Sequence, residues 1–268
     1  MKYLLTATTS VGNYRNHNED AILLGESVLL DGSRQGNIFP PFLCAVCDGV
    51  GGENAGEVAS RMTAELLSVC EYKNPSELKN RIFEIHDKLV KAGDAKSEIF
   101  NMQTTLCLIM VDKQDNAFCL NVGDSRAYIF RDKRLTQITT DQSLAQYLTE
   151  TGRAEKFDID LKSYKNIIIS SVGNPKQYPM IDLFSCGGAL GNEDLFILCS
   201  DGITDYISDD TFIEVLNSDL TLLDKQKRLI DSALVGGSKD NLSVVFVSLD
   251  EQTQKQNEQE KGNPENEK

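Results

Sequence analysis

The sequence predicts an α+β fold with β-sheets in the middle and helices outside. Segments of β-type and helical pattern follow one another in the order β, α, β, α, β along the chain. No stretch within them has the composition of a linker between two domains. With 40% apolar residues, the chain is long enough to bury one substantial core. We therefore expect a single domain over residues 1–250.

The predicted strands are short, apolar and rich in β-branched residues, and polar or glycine-containing turns separate them. They cover residues 4–11, 21–24, 28–30, 43–47, 105–111, 117–122, 127–130, 135–139, 167–169, 195–199 and 243–249. The second and third of these resemble the two arms of a hairpin. The strand at 43–47 leads into Asp48-Gly49, which delivers one carboxylate and one bare carbonyl to the same point.

The predicted helices cover residues 55–69, 74–89, 143–152, 209–217 and 222–234. Asn54, followed three residues later by Glu57, indicates the start of the first helix. The second helix begins at Asn74-Pro75-Ser76-Glu77, which supplies a cap, a first-turn proline and a capping acid. His86 lies beside its apolar stripe, and we expect a surface or half-buried histidine there.

Composition excludes several classes of function. The net charge of −14, with no basic stripe to offset it, argues against nucleic acid and anionic membranes as partners. No window is apolar enough for a signal peptide or a membrane span, so we expect a cytoplasmic protein. Residues 251–268 contain no Leu, Ile, Val or Phe, and they are predicted to form a disordered polar tail.

The seven cysteines mostly lie within apolar runs, as reduced core thiols do. Cys44 and Cys47 form a C-x-x-C pattern, but residues three apart on a strand point to opposite faces. No second pair accompanies them and the chain has only two histidines. A zinc or redox site is not expected.

Acidic residues recur in turns at the ends of apolar strands. They are Glu19-Asp20, Asp48, Asp124, Asp201 and Asp240. One or two of them could be ordinary turn residues, since Asp and Gly favour turns. Five in similar settings indicate a metal site, because converging carboxylates repel one another unless cations hold them. Oxygen ligands suit Mg²⁺ or Mn²⁺, and two such ions could aim a shared hydroxide at phosphorus. Arg15 has the donor geometry to bind a phosphoryl group.

These acids stand in five motifs that occur in one order along residues 5–250. The motifs are Arg15-x-x-Asn18-Glu19-Asp20, Asp48-Gly49-x-Gly51-Gly52, Asn121-x-Gly123-Asp124-Ser125-Arg126, Ser200-Asp201-Gly202-x-Thr204-Asp205 and Gly237-Ser238-x-Asp240-Asn241. Together they resemble the metal-dependent serine/threonine protein phosphatases of type 2C, in their bacterial branch. The resemblance implies a four-layer αββα sandwich of two central antiparallel β-sheets flanked by helix pairs.

The resemblance also implies roles for single residues. Asp48 would bridge two tightly bound Mn²⁺ or Mg²⁺ ions. Glu19 and the Gly49 carbonyl would complete one ion's ligands, and Asp201 and Asp240 the other's. Asp20 would hold a water on the metal and Arg15 the substrate phosphate, while Asp124 would help hold a weaker third ion. Bridging hydroxide would attack phosphoserine or phosphothreonine directly, with no phosphoenzyme.

Three positions depart from the family pattern without removing a proposed ligand. Gln103 stands where bacterial relatives usually have glycine, Gln142 where histidine is common, and Val50 where eukaryotic members have histidine. We expect a monomer that acts on phosphorylated proteins and opposes a cognate serine/threonine kinase. The alternative is a catalytically weak relative that binds phosphopeptides as a regulatory module. An acidic Ca²⁺-binding domain would need longer loops.

Overall fold

The computed structural model describes residues 1–50, 55–188, 190–250 and 252–255. The strands are β1 (Tyr3–Ser10), β2 (Asp20–Leu24), β3 (Ser27–Leu29), β4 (Gly32–Ile38), β5 (Phe42–Val50), β6 (Gln103–Thr104), β7 (Leu106–Val111), β8 (Ala117–Val122), β9 (Arg126–Arg131), β10 (Arg134–Gln137), β11 (Asp182–Ser185), β12 (Leu195–Cys199) and β13 (Leu242–Leu249). The helices are α1 (Ala55–Ser68), α2 (Pro75–Ala95), α3 (Leu144–Glu150), α4 (Arg153–Phe157), α5 (Asp201–Thr204), α6 (Asp209–Leu216) and α7 (Leu222–Val235). Short 3₁₀ helices lie at Ser97–Ile99 and Leu161–Tyr164.

The strands form two antiparallel sheets. The first has the order β10-β9-β12-β13-β1-β4, and the second β11-β8-β7-β5-β2-β3 with β6 added beside β5. β1 pairs with β13 from Tyr3 opposite Leu249 to Ser10 opposite Leu242. The strands nearest the two ends of the sequence are therefore neighbours in the middle of the first sheet.

Three apolar clusters divide the molecule into four layers. One lies between the sheets and includes Tyr3, Val46, Phe196 and Val247. A second packs α1 and α2 on the outer face of the second sheet, and a third packs α5, α6 and α7 on the first. The α+β class and the αββα sandwich are confirmed. The alternation of a strand explains the C-x-x-C pattern, because Cys44 faces the other sheet and Cys47 faces the helices.

The capping signals of α2 act as predicted. The side chain of Asn74 accepts the backbone N–H of Glu77 at 2.9 Å, and Glu77 Oε2 accepts the N–H of Lys73 at 3.1 Å. This reciprocal pair satisfies two amides at the helix start. His86 is buried rather than half-exposed, and its Nδ1 accepts the N–H of Gly173 at 3.0 Å. The proposed cap Asn54 of α1 lies outside the described residues.

Several sequence-based expectations were wrong or incomplete. Residues 167–169 form no strand, since only Ile168 makes an isolated bridge, to Ser143. β4 was missed because it is polar and almost wholly exposed, and among the described residues it pairs only with β1. The short strands β6 and β11 and the short helices α4 and α5 were also missed.

The start of the predicted tail is ordered. Residues 252–255 form a helical turn, and Thr253 is buried. The N–H of Thr253 donates to Asp250 Oδ1 at 2.9 Å, and its hydroxyl accepts the N–H of Lys2 at 3.2 Å. Polar contacts rather than apolar packing hold this turn, so the absence of large apolar residues did not predict it. The remaining tail residues, 251 and 256–268, lie outside the described residues.

In the part of the chain that the structure describes, no helix combines the length and the hydropathy needed to cross a membrane.

Candidate metal and phosphate site

The site is built around Asp48 near the end of β5. Two threonines hold its backbone. Thr105 Oγ1 accepts the N–H of Asp48 at 3.0 Å and Thr104 Oγ1 donates to its carbonyl at 2.9 Å. The N–H of Thr105 also donates to that carbonyl, at 2.8 Å. The backbone of Asp48 is therefore fixed within β5, and its carboxylate can face the other acidic groups.

Asp20 lies directly opposite Asp48 in the β2–β5 pair. Directly opposed residues share a face of the sheet, so like charges there repel. Asp20 is 1% exposed. Its Oδ2 accepts the hydroxyl of Ser200 at 2.9 Å, whereas its Oδ1 is buried without a hydrogen-bond partner in the described part of the chain.

Asp201 and Asp240 approach from the first sheet. Asp201 begins α5, directly after β12, and its Oδ1 is a second buried oxygen without a partner among the described residues. Asp240 precedes β13, and its Oδ1 accepts the N–H of Asn241 at 2.9 Å. The Asn241 side chain in turn accepts the N–H of Glu19 at 2.8 Å. This bond joins the loop carrying Glu19 to the loop carrying Asp240.

Gly49 allows α1 to approach the site. A Cβ placed on Gly49 would lie 2.3 Å from the carbonyl oxygen of Gly56 and 2.7 Å from that of Glu19. A Cβ on Gly56 would in turn lie 3.1 Å from the carboxyl carbon of Glu19. Only glycine at residue 49 fits this close approach of backbones. Gly51 and Gly52 of the same motif lie outside the described residues.

Asp124 lies in the turn between β8 and β9. Gly123 precedes it at φ 100°, a conformation that favours glycine. Thr105 packs against one side of this turn, since its hydroxyl lies 2.9 Å from that of Ser125. The same hydroxyl binds Asp48, so Thr105 fixes the turn relative to Asp48.

The carboxylates are close enough to alter one another's ionisation. Burial raises the pKa of Asp48 well above its usual range, and Asp20, Asp201, Asp124 and Asp240 raise it further. Burial is also the main cause of the raised pKa values of Asp20, Asp124 and Asp201. Asp48 is thus the electrostatic centre of the group. Its ionised form is destabilised unless positive charge is supplied.

The donor set fits hard divalent cations. The side chains are carboxylates without a cysteine or histidine among them, which suits Mg²⁺ or Mn²⁺. The buried, unbonded oxygens of Asp20 and Asp201 are two acceptors that the described protein groups do not satisfy. The described side chains converge without forming a closed cage, as no three acidic, His or Cys groups there have ready metal-binding geometry. The ligand roles of Glu19, Asp48, Gly49, Asp124, Asp201 and Asp240 stay predictions.

Arg15 lies on the exposed rim of the group. Its Nη2 donates to Asp240 Oδ2 at 2.8 Å and its Nε to the carbonyl of Lys239 at 3.3 Å. Asp240 raises the pKa of Arg15, although burial acts in the opposite direction as the largest influence. Arg15 therefore reaches the carboxylates predicted from the sequence, and its guanidinium faces solvent at their edge.

The three departures from the family pattern occupy different surroundings. Val50 is 36% exposed, at the end of β5. Gln103 Oε1 accepts the hydroxyl of Ser171 at 2.6 Å. Gln142 is buried and contacts the turn that carries Asp124. His17 is exposed.

The bonds among a group of hydroxyls near the carboxylates were not predicted from the sequence. Asn18 Nδ2 donates to Thr9 Oγ1 at 2.8 Å, and Thr9 Oγ1 lies 2.7 Å from Ser243 Oγ. Ser200 Oγ accepts the N–H of Ser243 at 3.0 Å and donates to Asp20. Serine and threonine inside apolar strands were the available signal, but their contacts depend on which strands pair.

Comparisons with known proteins identify the family of the chain. Residues 35–236 match the family model described as protein phosphatase 2C. The serine/threonine phosphatase Stp of Listeria monocytogenes is 31% identical over 251 residues, which cover 90% of this chain and 94% of that protein. The protein phosphatase PhpP of Streptococcus pneumoniae is 28% identical, with 92% and 98% covered.

Solved structures show the same fold. The serine/threonine phosphatase PstP of Mycobacterium tuberculosis superposes with a TM-score of 0.75 at 28% identity, covering 93% of this chain and all of that one. The catalytic domain of PstP in complex with two manganese ions gives a TM-score of 0.73 at 29% identity, with the same coverage. The family match, these relatives and the converging carboxylates agree, so the chain belongs to the protein phosphatase 2C family and is a serine/threonine protein phosphatase.

Proposed function

We propose that this phosphatase hydrolyses phosphoserine and phosphothreonine in proteins by direct attack of water, with two Mn²⁺ or Mg²⁺ ions and no phosphoenzyme. The observation that carries the proposal is the convergence of Asp20, Asp48 and Asp201, two of which present a buried oxygen without a protein partner in the described chain. Protein groups alone leave this arrangement unfavourable, whereas divalent cations stabilise it.

The proposed ligands divide about Asp48. Asp48 would bridge both ions because it interacts with the carboxylates of both sheets. Glu19 and the Gly49 carbonyl would hold one ion, since the N–H of Gly49 donates to the Glu19 carbonyl at 3.1 Å and joins the two loops. Asp201 and Asp240 would hold the other, and Asp124 a weaker third. When bound, such ions make water acidic enough to serve as the nucleophile near neutral pH.

Asp20 would orient the attacking water. Its Oδ2 is fixed by Ser200, so the position of the unbonded Oδ1 is also fixed. Oδ1 would accept a hydrogen bond from the water and hold it in line with phosphorus. Correct alignment is a large part of catalysis in phosphoryl transfer.

Arg15 would bind the phosphoryl oxygens of the substrate. Its guanidinium presents paired N–H groups that match two such oxygens. Nη2 is already bonded to Asp240, so binding substrate through it requires that contact to loosen. Arg15 and Asp240 would therefore move apart as the site takes up phosphate.

Direct attack without a phosphoenzyme is supported by the surroundings of Cys47, the thiol that precedes Asp48 in the sequence. Burial raises the pKa of Cys47, and the charges of Asp20 and Asp48 raise it further, so this thiol stays protonated. It also faces the helices rather than the carboxylates. A protonated, buried thiol is a poor nucleophile.

The same proposal covers the protein's partners. The substrates would be phosphorylated proteins, with a serine/threonine kinase supplying the phosphate that this enzyme removes. We propose a monomeric protein that acts in the cytoplasm.

The test is release of phosphate from a phosphothreonine peptide by the purified protein, with Mn²⁺ and with a chelator. We expect turnover with Mn²⁺ only, and its loss in Asp240→Asn. Asp231→Asn is the matched control, because Asp231 is an exposed acid on α7 away from the carboxylates. Equal rates in the two variants would contradict the proposal. Peptide binding without hydrolysis would favour the regulatory module instead.

A further inference from the structure

Gln142 lies at the base of a largely exposed segment, where the two ends of the segment are joined by hydrogen bonds. We define this flap as residues 144–166, which contain α3, α4 and the 3₁₀ helix Leu161–Tyr164. The two ends of the flap meet at its neck. The N–H of Leu144 donates to the carbonyl of Ile167 at 2.7 Å, and the N–H of Ile169 to the carbonyl of Gln142 at 2.8 Å.

Gln142 also holds the turn that carries Asp124. Its backbone N–H donates to the carbonyl of Gly123 at 2.9 Å, and its side-chain Oε1 accepts the N–H of Gly123 at 2.9 Å. Both backbone groups of Gly123 are therefore bonded to one residue. The turn has Thr105 on its other side, so it lies between a contact to the residue before β7 and a contact to the flap neck.

The amide nitrogen of Gln142 extends these contacts to the strand β11. Nε2 donates to Asp182 Oδ2 at 2.8 Å and to the carbonyl of Met180 at 3.0 Å, and it lies 3.4 Å from the carbonyl of Asn121. Three acceptor oxygens surround Gln142 Nε2, and the N–H of Gly123 faces Gln142 Oε1. These partners fix which way round the side-chain amide lies. Gln142 is 6% exposed, so no water competes readily for these bonds.

The neighbouring residue strengthens the same connection. Asp141 accepts a bidentate pair from Arg126, with Nε at 2.9 Å and Nη2 at 2.6 Å. Arg126 follows Asp124 by two residues. The segment before the flap is thus tied to both sides of the Asp124 turn.

We propose that Gln142 is a positioning residue that couples the flap to Asp124. Movement of the flap neck is transmitted through the Gln142 amide to Gly123, and from there to the Asp124 carboxylate. A substrate that rests on the flap therefore alters the position of a predicted metal ligand, and a cation on Asp124 alters the flap. This inference rests on the proposed metal role of Asp124.

The first test is hydrogen–deuterium exchange of the metal-free protein, comparing the wild type with Gln142→Leu. We expect faster exchange at both the 122–125 turn and the 167–169 neck, with β5 and β7 unchanged. Gln146→Leu is the matched control, because this flap side chain bonds only to Glu150, at 2.9 Å, in the described structure. Faster exchange throughout the core, or at the turn alone, would overturn the proposal.

The second test is calorimetric titration with Mn²⁺. Loss of an outer contact to a metal ligand typically weakens binding by about 10–100-fold, and we expect the weakest Mn²⁺ event of Gln142→Leu to move by about tenfold. In an Asp124→Asn background, the same substitution should produce no further change, since coupled residues are not additive. Additive effects in the double variant would show that Gln142 does not act through Asp124.

Gln142→His serves as a graded variant and as the alternative if Gln142→Leu does not fold. Imidazole can accept one bond and donate one, so it replaces the bond to Gly123 and one of the bonds from Nε2. We expect exchange rates at the turn and neck between those of the wild type and Gln142→Leu. Exchange equal to that of the wild type at both places would count against coupling through this amide. Neither exchange nor calorimetry requires turnover, so failure of the proposed function would be seen separately.

Discussion

The centre of the site and its rim are built by different means. Asp20 and Asp48 stand on neighbouring inner strands of the second sheet, and Asp201 follows an inner strand of the first. By contrast, α3, α4 and the 3₁₀ helix of the flap contain no buried residue. Positions held by two sheets vary little, whereas an exposed segment on a narrow neck can move at small cost. The predicted metal ligands therefore stand where the fold is rigid, and the flap beside them is the part of the fold that can adapt.

The largest effect is expected at the centre. Asp48→Ala should lower Mn²⁺-dependent hydrolysis of a phosphopeptide by about 10³-fold or more, because it removes the proposed bridging ligand. The metal-free variant should melt no lower than the wild type, since it loses a carboxylate whose ionised form is disfavoured by burial and by its neighbours. Rate assays and thermal unfolding check both statements. Activity of Asp48→Ala close to that of the wild type would contradict the proposed role of Asp48 as the bridging ligand.

The second effect tests how tightly the centre is packed. Gly49→Ala places a methyl group 2.3 Å from the Gly56 carbonyl oxygen, so α1 or β5 must shift. We expect a loss of about 1–3 kcal/mol in the free energy of unfolding and about 10²-fold in rate. Gly36→Ala on β4 is the control, because a methyl group there meets nothing within 4 Å. Denaturant titration and turnover assays should separate the two variants.

These two residues also show what the sequence alone could predict. β5, its Asp-Gly pair and the five acidic motifs were visible because each is a local pattern. The prediction of turns was wrong for Asp20 and Asp48, which lie in strands, and for Asp201, which begins a helix. β4 was not visible, since its polar residues gain stability from pairing with β1 rather than from burial. Residues 167–169 are apolar and were therefore predicted to form a strand. They make only one isolated bridge, at the flap neck, among the described residues.

Contacts between distant segments set the other limit of prediction. Asn18, Ser200 and Asn241 were recognised as motif residues, but their bonds to Thr9, Asp20 and Glu19 depend on strand pairing. Gln142 was noted only as a departure from a family pattern. Its contacts involve residues up to 40 positions away. The local sequence pattern was enough to locate the acidic residues. The hydroxyl and amide groups that orient them could be found only in the folded chain.

An intermediate effect is expected at Arg15, where the centre meets the rim. Arg15→Ala should raise the KM of a phosphopeptide by about tenfold, because a charge-assisted hydrogen bond contributes about 1.5–3 kcal/mol. The kcat should fall less, if the contact is formed mainly in the ground state. Arg15→Lys should restore part of the affinity, since lysine cannot bind two oxygens at once. Steady-state kinetics on one peptide check this.

Arg81→Ala is the control for Arg15. Arg81 is also a partly exposed arginine paired with a carboxylate, since its Nη1 lies 2.8 Å from Glu84 Oε1, but it lies on α2. The KM of Arg81→Ala for the phosphopeptide should match that of the wild type. An unchanged KM in Arg15→Ala would instead make the Arg15–Asp240 contact a surface salt bridge.

The smallest effect is expected within the rim. Lys165 Nζ lies 2.5 Å from Asp205 Oδ1, which joins the end of the flap to the loop after Asp201. Lys165 is half exposed, and exposed ion pairs contribute about 0–1 kcal/mol. Lys165→Met should therefore change the KM of a phosphopeptide by no more than about fivefold and leave nitrophenyl phosphate hydrolysis unchanged.

Limited proteolysis of the flap gives a second measurement on the same variant. Cleavage within residues 144–166 should be faster in Lys165→Met than in Lys162→Met, whose lysine lies on the 3₁₀ helix that ends just before Lys165. Hydrolysis of the phosphopeptide and of nitrophenyl phosphate that slowed equally in Lys165→Met would show that Lys165 acts on the carboxylates. The centre and the rim would then not be separable.

The pairing of β1 with β13 has a consequence for the newly made chain. Arg15 and Asp240 are 225 residues apart, and at ~5–20 residues per second the ribosome makes the second roughly 10–45 s after the first. Until β13 emerges, β1 and β12 lack a shared neighbour in the first sheet, and the acids made earlier have no complete site. We therefore expect the nascent enzyme to be inactive towards phosphoproteins until Asp240 and β13 have been made. A polypeptide stopped before residue 240 lacks Asp240, a proposed metal ligand, and the strand that joins β1 to β12 in the first sheet.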